Sequence, residues 1–101
     1  MNQECNPQVE DGYVRIANEL FDALYKIKIP GRQWQIVIAV LRMTYGFNRK
    51  EWTTSNIEIA DMVGMNRHHT HEDIKELVAR NILFVTEKGN ERKIIIRFNK
   101  I

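Results

Sequence analysis

Residues 55–77 of this 101-residue chain read SNIEIADMVGMNRHHTHEDIKEL, and their spacing is typical of a helix-turn-helix. Ser55 is placed to cap a short first helix, and Gly64 suits the turn that follows because glycine tolerates positive φ. Asn66 can then accept hydrogen bonds from the free N–H groups of a second helix. This order of signals predicts two helices that cross at a steep angle over a short turn.

The two predicted helices each combine an apolar face with a polar one. The positions predicted to point inward are Ile59, Ala60, Val63, Thr70, Ile74 and Leu77, with Met65 filling the corner. The second helix is predicted to turn outward the side chains of Arg67, His68, His71, Glu72 and Lys75. A helix with such an outer face suits the major groove of double-stranded DNA, whereas the alternative is a helical corner that binds no ligand.

Length and composition limit what else the chain can be. With 44% hydrophobic residues, 101 residues suit one domain, predicted over residues 13–101, behind a mobile polar head over residues 1–12. No apolar run reaches the roughly 18 residues of a membrane span, and no signal peptide is evident, so we expect a cytoplasmic protein. Cys5 is the only cysteine, which excludes an internal disulfide and a cysteine-based zinc site.

The charges are distributed unevenly although the net charge is only +2. Residues 26–50 contain six basic residues and no acidic one, and residues 76–101 contain six basic and three acidic residues. Such a distribution can present a basic face to phosphates while the domain stays nearly neutral. The alternative is that both segments form ordinary solvated surfaces.

Two apolar helices are predicted before the motif, the first from Tyr13 and the second from about Arg32, separated by Pro30-Gly31. The inward positions are predicted to be Ile16, Leu20, Leu24 and Ile27 on the first helix and Trp34, Val37, Ile38, Leu41 and Tyr45 on the second. Both helices carry further apolar residues on another side, and Gly46 is expected to end the second helix. We predict a homodimer contact formed by Val14, Phe21, Tyr25, Ile36 and Val40; the alternative is a thicker core.

The end of the chain predicts a β-hairpin wing over residues 82–98. Asn81 is expected to end the second motif helix in a left-handed conformation, and a turn at residues 88–90 separates two β-type runs. A short strand is also predicted at Trp52-Thr53. The predicted fold is mainly α with a small β-hairpin, a winged helix-turn-helix consisting of a helix-turn-helix over residues 55–80 and the wing.

The segments DGYVRIANEL (11–20) and GRQWQIVIAVLRMTYGFNRK (31–50) resemble the N-terminal domain of the phage replication protein O family, the lambdoid origin-binding initiators. The similar features are, in order, Asp11-Gly12-Tyr13, Arg32-Gln33 followed by an aromatic residue, and the run AVLRMTYGFN (39–48). One difference is Phe47, which stands where tryptophan is common in the family. The resemblance implies DNA binding at a phage replication origin. It also implies recruitment of a helicase loader, which we expect only if the native chain has a C-terminal part beyond residue 101.

Few residues could support catalysis, and we expect no enzymatic activity and no cofactor. Ser55 is the only serine and is needed as a cap. His68 and His71 could share a metal with a third ligand, but an HxxH pair without a second ligand cluster is a weak signal, so no metal site is predicted.

We therefore expect sequence-specific binding of double-stranded DNA. The residues predicted to contact it are Asn66, Arg67, His68, His71 and Lys75 on the second motif helix and Lys88, Asn90, Arg92 and Lys93 on the wing, with Arg97 on its outer side. Two alternatives stay open. One is a winged-helix transcriptional regulator. The other is a protein-interaction winged helix, for which the best support is the set of acids near the motif, Glu58, Asp61, Glu72 and Asp73.

Overall fold

The computed structural model describes residues 12–89 and 92–99. Its helices are α1 (Asn18–Leu24), α2 (Gly31–Thr44), α3 (Asn56–Val63) and α4 (Arg67–Ala79), and its strands are β1 (Trp52–Thr54), β2 (Leu83–Lys88) and β3 (Lys93–Phe98), with a 3₁₀ turn at Tyr45–Phe47. This confirms the predicted class, mainly α with a small β wing. No helix within the described ranges is long and apolar enough to cross a membrane. Cys5, Asn90 and most of the predicted mobile head lie outside those ranges.

The helix-turn-helix forms through the local signals that predicted it. The Ser55 hydroxyl accepts the N–H of the residue three positions on, at 3.1 Å, and so caps α3. Gly64 ends that helix with φ at 71°, in the left-handed region. Asn66 Oδ1 accepts from the N–H groups two and three residues on, at 2.7 and 3.2 Å, and starts α4. These caps satisfy one of the free N–H groups at the start of α3 and two of those at the start of α4.

The wing belongs to a three-stranded antiparallel sheet with the order β1-β3-β2. The hairpin was predicted, and Asn81 does end α4 at φ 62°, with the next N–H returning to the Leu77 carbonyl at 3.0 Å. What the sequence did not predict is that β1 pairs with β3, with Trp52 opposite Ile96. The third strand ties the start of α3 to the middle of the wing.

Helix α2 lies at the centre of the core and corrects part of the predicted dimer contact. Ile36, Val37 and Val40 are fully buried, among side chains contributed by all four helices and the sheet. Ile36 and Val40 therefore cannot contact a second copy, and their assignment to a dimer interface was wrong. Ile38, which was predicted to point inward, is 59% exposed. Since α2 is covered by several elements, the helical period alone did not show which side faces them.

The other predicted dimer residues stay at the surface. Phe21 and Tyr25 are both more than half exposed, and their rings meet edge to face with centroids 6.5 Å apart. Val14 is also exposed, in the extended segment before α1. These three residues remain available to a second copy, and the dimer itself stays a prediction.

The start of α1 and the end of α2 differ from the predicted positions. α1 begins at Asn18 and not at Tyr13, because Ala17 is extended (φ −61°, ψ 136°) and provides no side-chain cap. Ile16 nevertheless packs against the core from that extended segment. Its spacing from Leu20 and Leu24 matches a helical period, which is why the helix was predicted to begin earlier. At the other boundary α2 ends at Thr44, two residues before Gly46, which was expected to end it, and the 3₁₀ turn that follows ends at Asn48 with a left-handed φ of 54°.

Candidate nucleic-acid interface

Helix α4 is held against α2 through a buried carboxylate. Asp73 is 2% exposed, and its Oδ2 accepts from Arg32 Nε at 2.5 Å while its Oδ1 accepts from Arg32 Nη2 at 3.1 Å. A bidentate pair of this kind fixes both distance and orientation between the two helices. Asp73 therefore does not belong to an exposed acidic surface, which weakens the protein-interaction alternative.

Gln33 extends this contact along α4. Its amide nitrogen donates to Asp73 Oδ1 at 3.3 Å and to Glu76 Oε1 at 3.0 Å, and the side chain is almost wholly buried. The hydrogen bond to Asp73, followed by the negative charge of that carboxylate, raises the pKa of the Arg32 guanidinium above its ordinary value. Arg32 therefore stays charged throughout the usual pH range, and we assign Arg32-Gln33 the role of positioning α4.

The outward face of α4 is the predicted one. Arg67, His68, His71 and Lys75 are exposed, with Arg67 as the first residue of the helix. The side chain of Asn66 is more restricted than expected, because its oxygen is already engaged by the cap. Only its amide N–H groups could serve a base edge, so Asn66 is a weaker candidate for reading DNA.

A contact between Asn56 and His71 joins the two helices of the motif at the surface. Asn56 Nδ2 lies 3.0 Å from His71 Nδ1. Asn56 also lines a groove of about 690 Å³ together with Ser55, Arg92 and Lys93, so the start of α3 connects α4 with the wing. Asn56 was not among the predicted contacts, although its place directly after the Ser55 cap was a signal, since the start of a helix attracts phosphates.

The basic side chains of the wing fall into two groups. Near the tip, Lys88 and Arg92 are exposed, and Arg92 has a left-handed φ of 57°. Lys93 is half-buried with its Nζ 3.9 Å from Glu58 Oε2, so it is less available to DNA than predicted. Arg97 lies at the opposite end of β3, away from the tip.

The histidines do not gather into a metal centre. His68 and His69 have ring centroids 6.1 Å apart, and His71 is engaged with Asn56. Throughout residues 12–89 and 92–99, no group of three or more histidine, cysteine, aspartate or glutamate side chains could hold a metal ion.

Comparison with known proteins identifies the family. The family model described as bacteriophage replication protein O matches residues 6–100. The chain belongs to the bacteriophage replication protein O family. The resemblance predicted from the sequence is thus confirmed, and the family supports a role in phage DNA replication.

Relatives of the chain are replication proteins of three phages. It is 33% identical over 81 residues to replication protein 15 of Enterobacteria phage phi80, covering 80% of this chain and 27% of the relative. It is 34% identical over 84 residues to DNA replication protein gp18 of Salmonella phage P22, covering 83% of this chain and 30% of the relative. It is 30% identical over 82 residues to replication protein O of Escherichia phage lambda, covering 80% of this chain and 25% of the relative. The chain thus matches between a quarter and a third of the length of these relatives. No solved structure matches it significantly.

Proposed function

We propose that this domain binds double-stranded DNA sequence-specifically at a phage replication origin. The observation that supports this most is the Asn56–His71 contact, because it makes one continuous surface out of the outer face of α4, the start of α3 and the groove beside the wing tip. A winged helix-turn-helix meets a duplex with these three parts when its second motif helix enters the major groove.

In this proposal α4 reads the bases. Arg67 opens the helix, and its guanidinium suits a bidentate contact to guanine O6 and N7. His68 and His71 present ring nitrogens that can donate to or accept from other base edges, and Lys75 can donate to guanine or to a phosphate. The hydrogen bond from Asn56 restricts the His71 ring and so limits the edges it can meet.

The wing tip and the start of α3 supply the contacts to phosphates. Lys88 and Arg92 are exposed long donors that can reach the backbone beside the groove occupied by α4. Asn56 lies at the first turn of α3, where backbone N–H groups and the helix dipole favour anions. These contacts would set the orientation of the domain on the duplex and carry little sequence information.

Family membership makes a replication origin the preferred target. Three similar proteins are named as phage replication proteins. We extend the proposal to a homodimer in contact through Val14, Phe21 and Tyr25, and to a helicase loader recruited by a C-terminal part of a longer protein, since the relatives are three to four times as long as the matched segment.

A selection of bound sequences from random duplexes tests the proposal. We expect one short motif to be enriched and to occur as repeats at the origin of the phage genome that encodes the chain. Enriched sites located at promoters would instead indicate a transcriptional regulator, and the absence of any enrichment would refute sequence-specific binding.

A further inference from the structure

Arginine and phenylalanine side chains form a row near the end of the sheet that lies opposite the wing tip. The guanidinium carbons of Arg42 and Arg49 lie 5.1 and 5.0 Å from the ring centroid of Phe47. On the sheet itself, the guanidinium carbon of Arg97 lies 4.3 Å from the ring centroid of Phe84. We call these five residues the arginine–phenylalanine row.

A shallow groove connects the two halves of the row. Arg49 and Arg97 line the same groove of about 560 Å³, together with Lys50 and Glu51. The groove therefore combines three cationic side chains with one acid. The two rings of the row do not line this groove but are partly open to solvent, since Phe47 is 53% exposed and Phe84 is 40% exposed.

The backbone holds the Phe47 end of the row in place. Arg49 Nε donates to the Met43 carbonyl at 2.7 Å, and the Arg49 N–H donates to the Thr44 carbonyl at 3.0 Å. Gly46 leaves room for a second arginine, because a Cβ atom there would lie 2.8 Å from Arg42 Nη1. The arginines beside Phe47 are thus positioned by specific local contacts.

The proposed duplex interface does not use this row. In the antiparallel register, Lys88 pairs with Lys93 next to the wing tip, whereas Phe84 pairs with Arg97 four residues further along β3. At about 3.3 Å per residue, the row begins about 13 Å from the tip. It also includes Arg42 and Arg49 of the basic segment 26–50, which take no part in the proposed contacts of α4 and the wing tip with DNA.

We propose that the arginine–phenylalanine row binds single-stranded DNA. Bases can stack on aromatic rings and on the flat faces of guanidinium groups, while Lys50 and the arginines meet the phosphates. An acidic protein partner would pair with the positive charges of the row but would gain little from its two exposed rings. The inference rests on the proposed function, because initiation at an origin requires the duplex to open beside the bound site.

The row would then hold an opened strand while α4 and the wing tip hold the adjacent duplex. Stacking on aromatic side chains tolerates any sequence, since every base has a π face. The two surfaces of the domain would therefore differ in kind: the α4 surface distinguishes sequences, and the row distinguishes single strands from duplexes.

Fluorescence anisotropy with a fluorescein-labelled 12-mer of oligodeoxythymidylate tests the inference. We expect the wild-type chain to bind it, Phe47→Leu to weaken binding by about 5- to 100-fold, and Phe47→Trp to bind at least as tightly as the wild type. Ile38→Ala removes an exposed apolar side chain of α2 that lies outside both the row and the proposed dimer contact, so it is the control and should change nothing. None of the three variants should alter binding of the selected duplex, and circular dichroism melts confirm that each is folded.

Three results would overturn the inference. The first is a wild-type chain that binds the selected duplex but not the oligonucleotide, and the second is a Phe47→Leu variant that binds the oligonucleotide as the wild type does. The third is tight binding of a polyglutamate peptide that Lys50→Glu abolishes and Phe47→Leu leaves intact, since this would indicate an acidic protein partner. Oligonucleotide binding that depends on Phe47 in a chain that binds no duplex would refute the proposed function and support the inference.

Discussion

Arg32, at the start of α2, donates from Nε and Nη2 to the two carboxylate oxygens of Asp73 in the middle of α4, at 2.5 and 3.1 Å. The carboxylate is buried while the Arg32 side chain is half exposed, so the pair joins the core to the surface. Because α4 is the proposed reading helix, a contact 41 residues away in sequence helps to set the angle at which that helix meets DNA.

Replacing Asp73 should therefore affect both stability and DNA binding. Asp73→Asn keeps the shape of the side chain but removes its negative charge and one of the two oxygens that accept from Arg32. We therefore expect a lower urea midpoint of unfolding and weaker binding of the selected duplex. The loss of stability should exceed the roughly 0.5 kcal/mol within which exposed substitutions usually stay. Gln35→Ala, on the exposed side of α2, is the control. Equal stability of the two variants would show that the pair does not hold α4.

Asn56 tests whether the start of α3 lies against the DNA. Asn56→Asp places a negative charge there that the helix N-terminus tolerates, so stability should change little. Near a phosphate, however, the charge should weaken duplex binding by about fivefold at low salt, the effect of about 1 kcal/mol between unit charges 4 Å apart in water. Asn18→Asp makes the same change at the first residue of α1 and should leave binding unaltered. Similar losses in both variants would refute a local role for Asn56.

The revised dimer contact predicts different outcomes for exposed and buried residues. Phe21→Glu should give a folded monomer in light scattering, because Phe21 is 55% exposed and contributes little to the core. Ile36→Ala should instead cost about 2 to 5 kcal/mol of the free energy of unfolding, since it leaves a cavity beneath α2. A wild-type chain that is monomeric at high concentration would refute the dimer.

Arg67 and Arg92 separate the reading of bases from contact with phosphates. Arg67→Ala should cost about 1 to 3 kcal/mol on the selected site and relax the preference at one base position. Arg92→Ala should weaken binding to all duplexes similarly and lower the magnitude of the salt slope by about one. Titrations with selected and random duplexes distinguish the two. If only Arg92→Ala changes base preference, the wing reads the sequence and the roles are reversed.

The sequence predicted the features that local chemistry determines. Ser55, Gly64, Asn66 and Asn81 each act through hydrogen bonds or backbone angles within a few residues, so their spacing was sufficient to predict the motif and the end of α4. The outward face of α4 followed from the helical period for the same reason.

What the sequence did not predict depends on residues distant along the chain. The helical period places Asp73 near the inward side of α4, but a buried carboxylate there is explained only by Arg32, which is 41 residues away in sequence. Ile36 belongs to the core rather than to a dimer contact because several elements meet on α2, which a single helical period does not reveal. The pairing of β1 with β3 likewise depends on a separation of about forty residues.

The salt dependence of duplex binding is the sharpest test that α4, the start of α3 and the wing tip bind DNA. If α4, the start of α3 and the wing tip neutralise about four to six phosphates per chain, a plot of log affinity against log salt concentration should have a slope of roughly −4 to −5. Anisotropy titrations of the selected duplex across a range of salt concentrations give this slope. A slope in that range supports the proposed interface, whereas affinity that does not change with salt would contradict it.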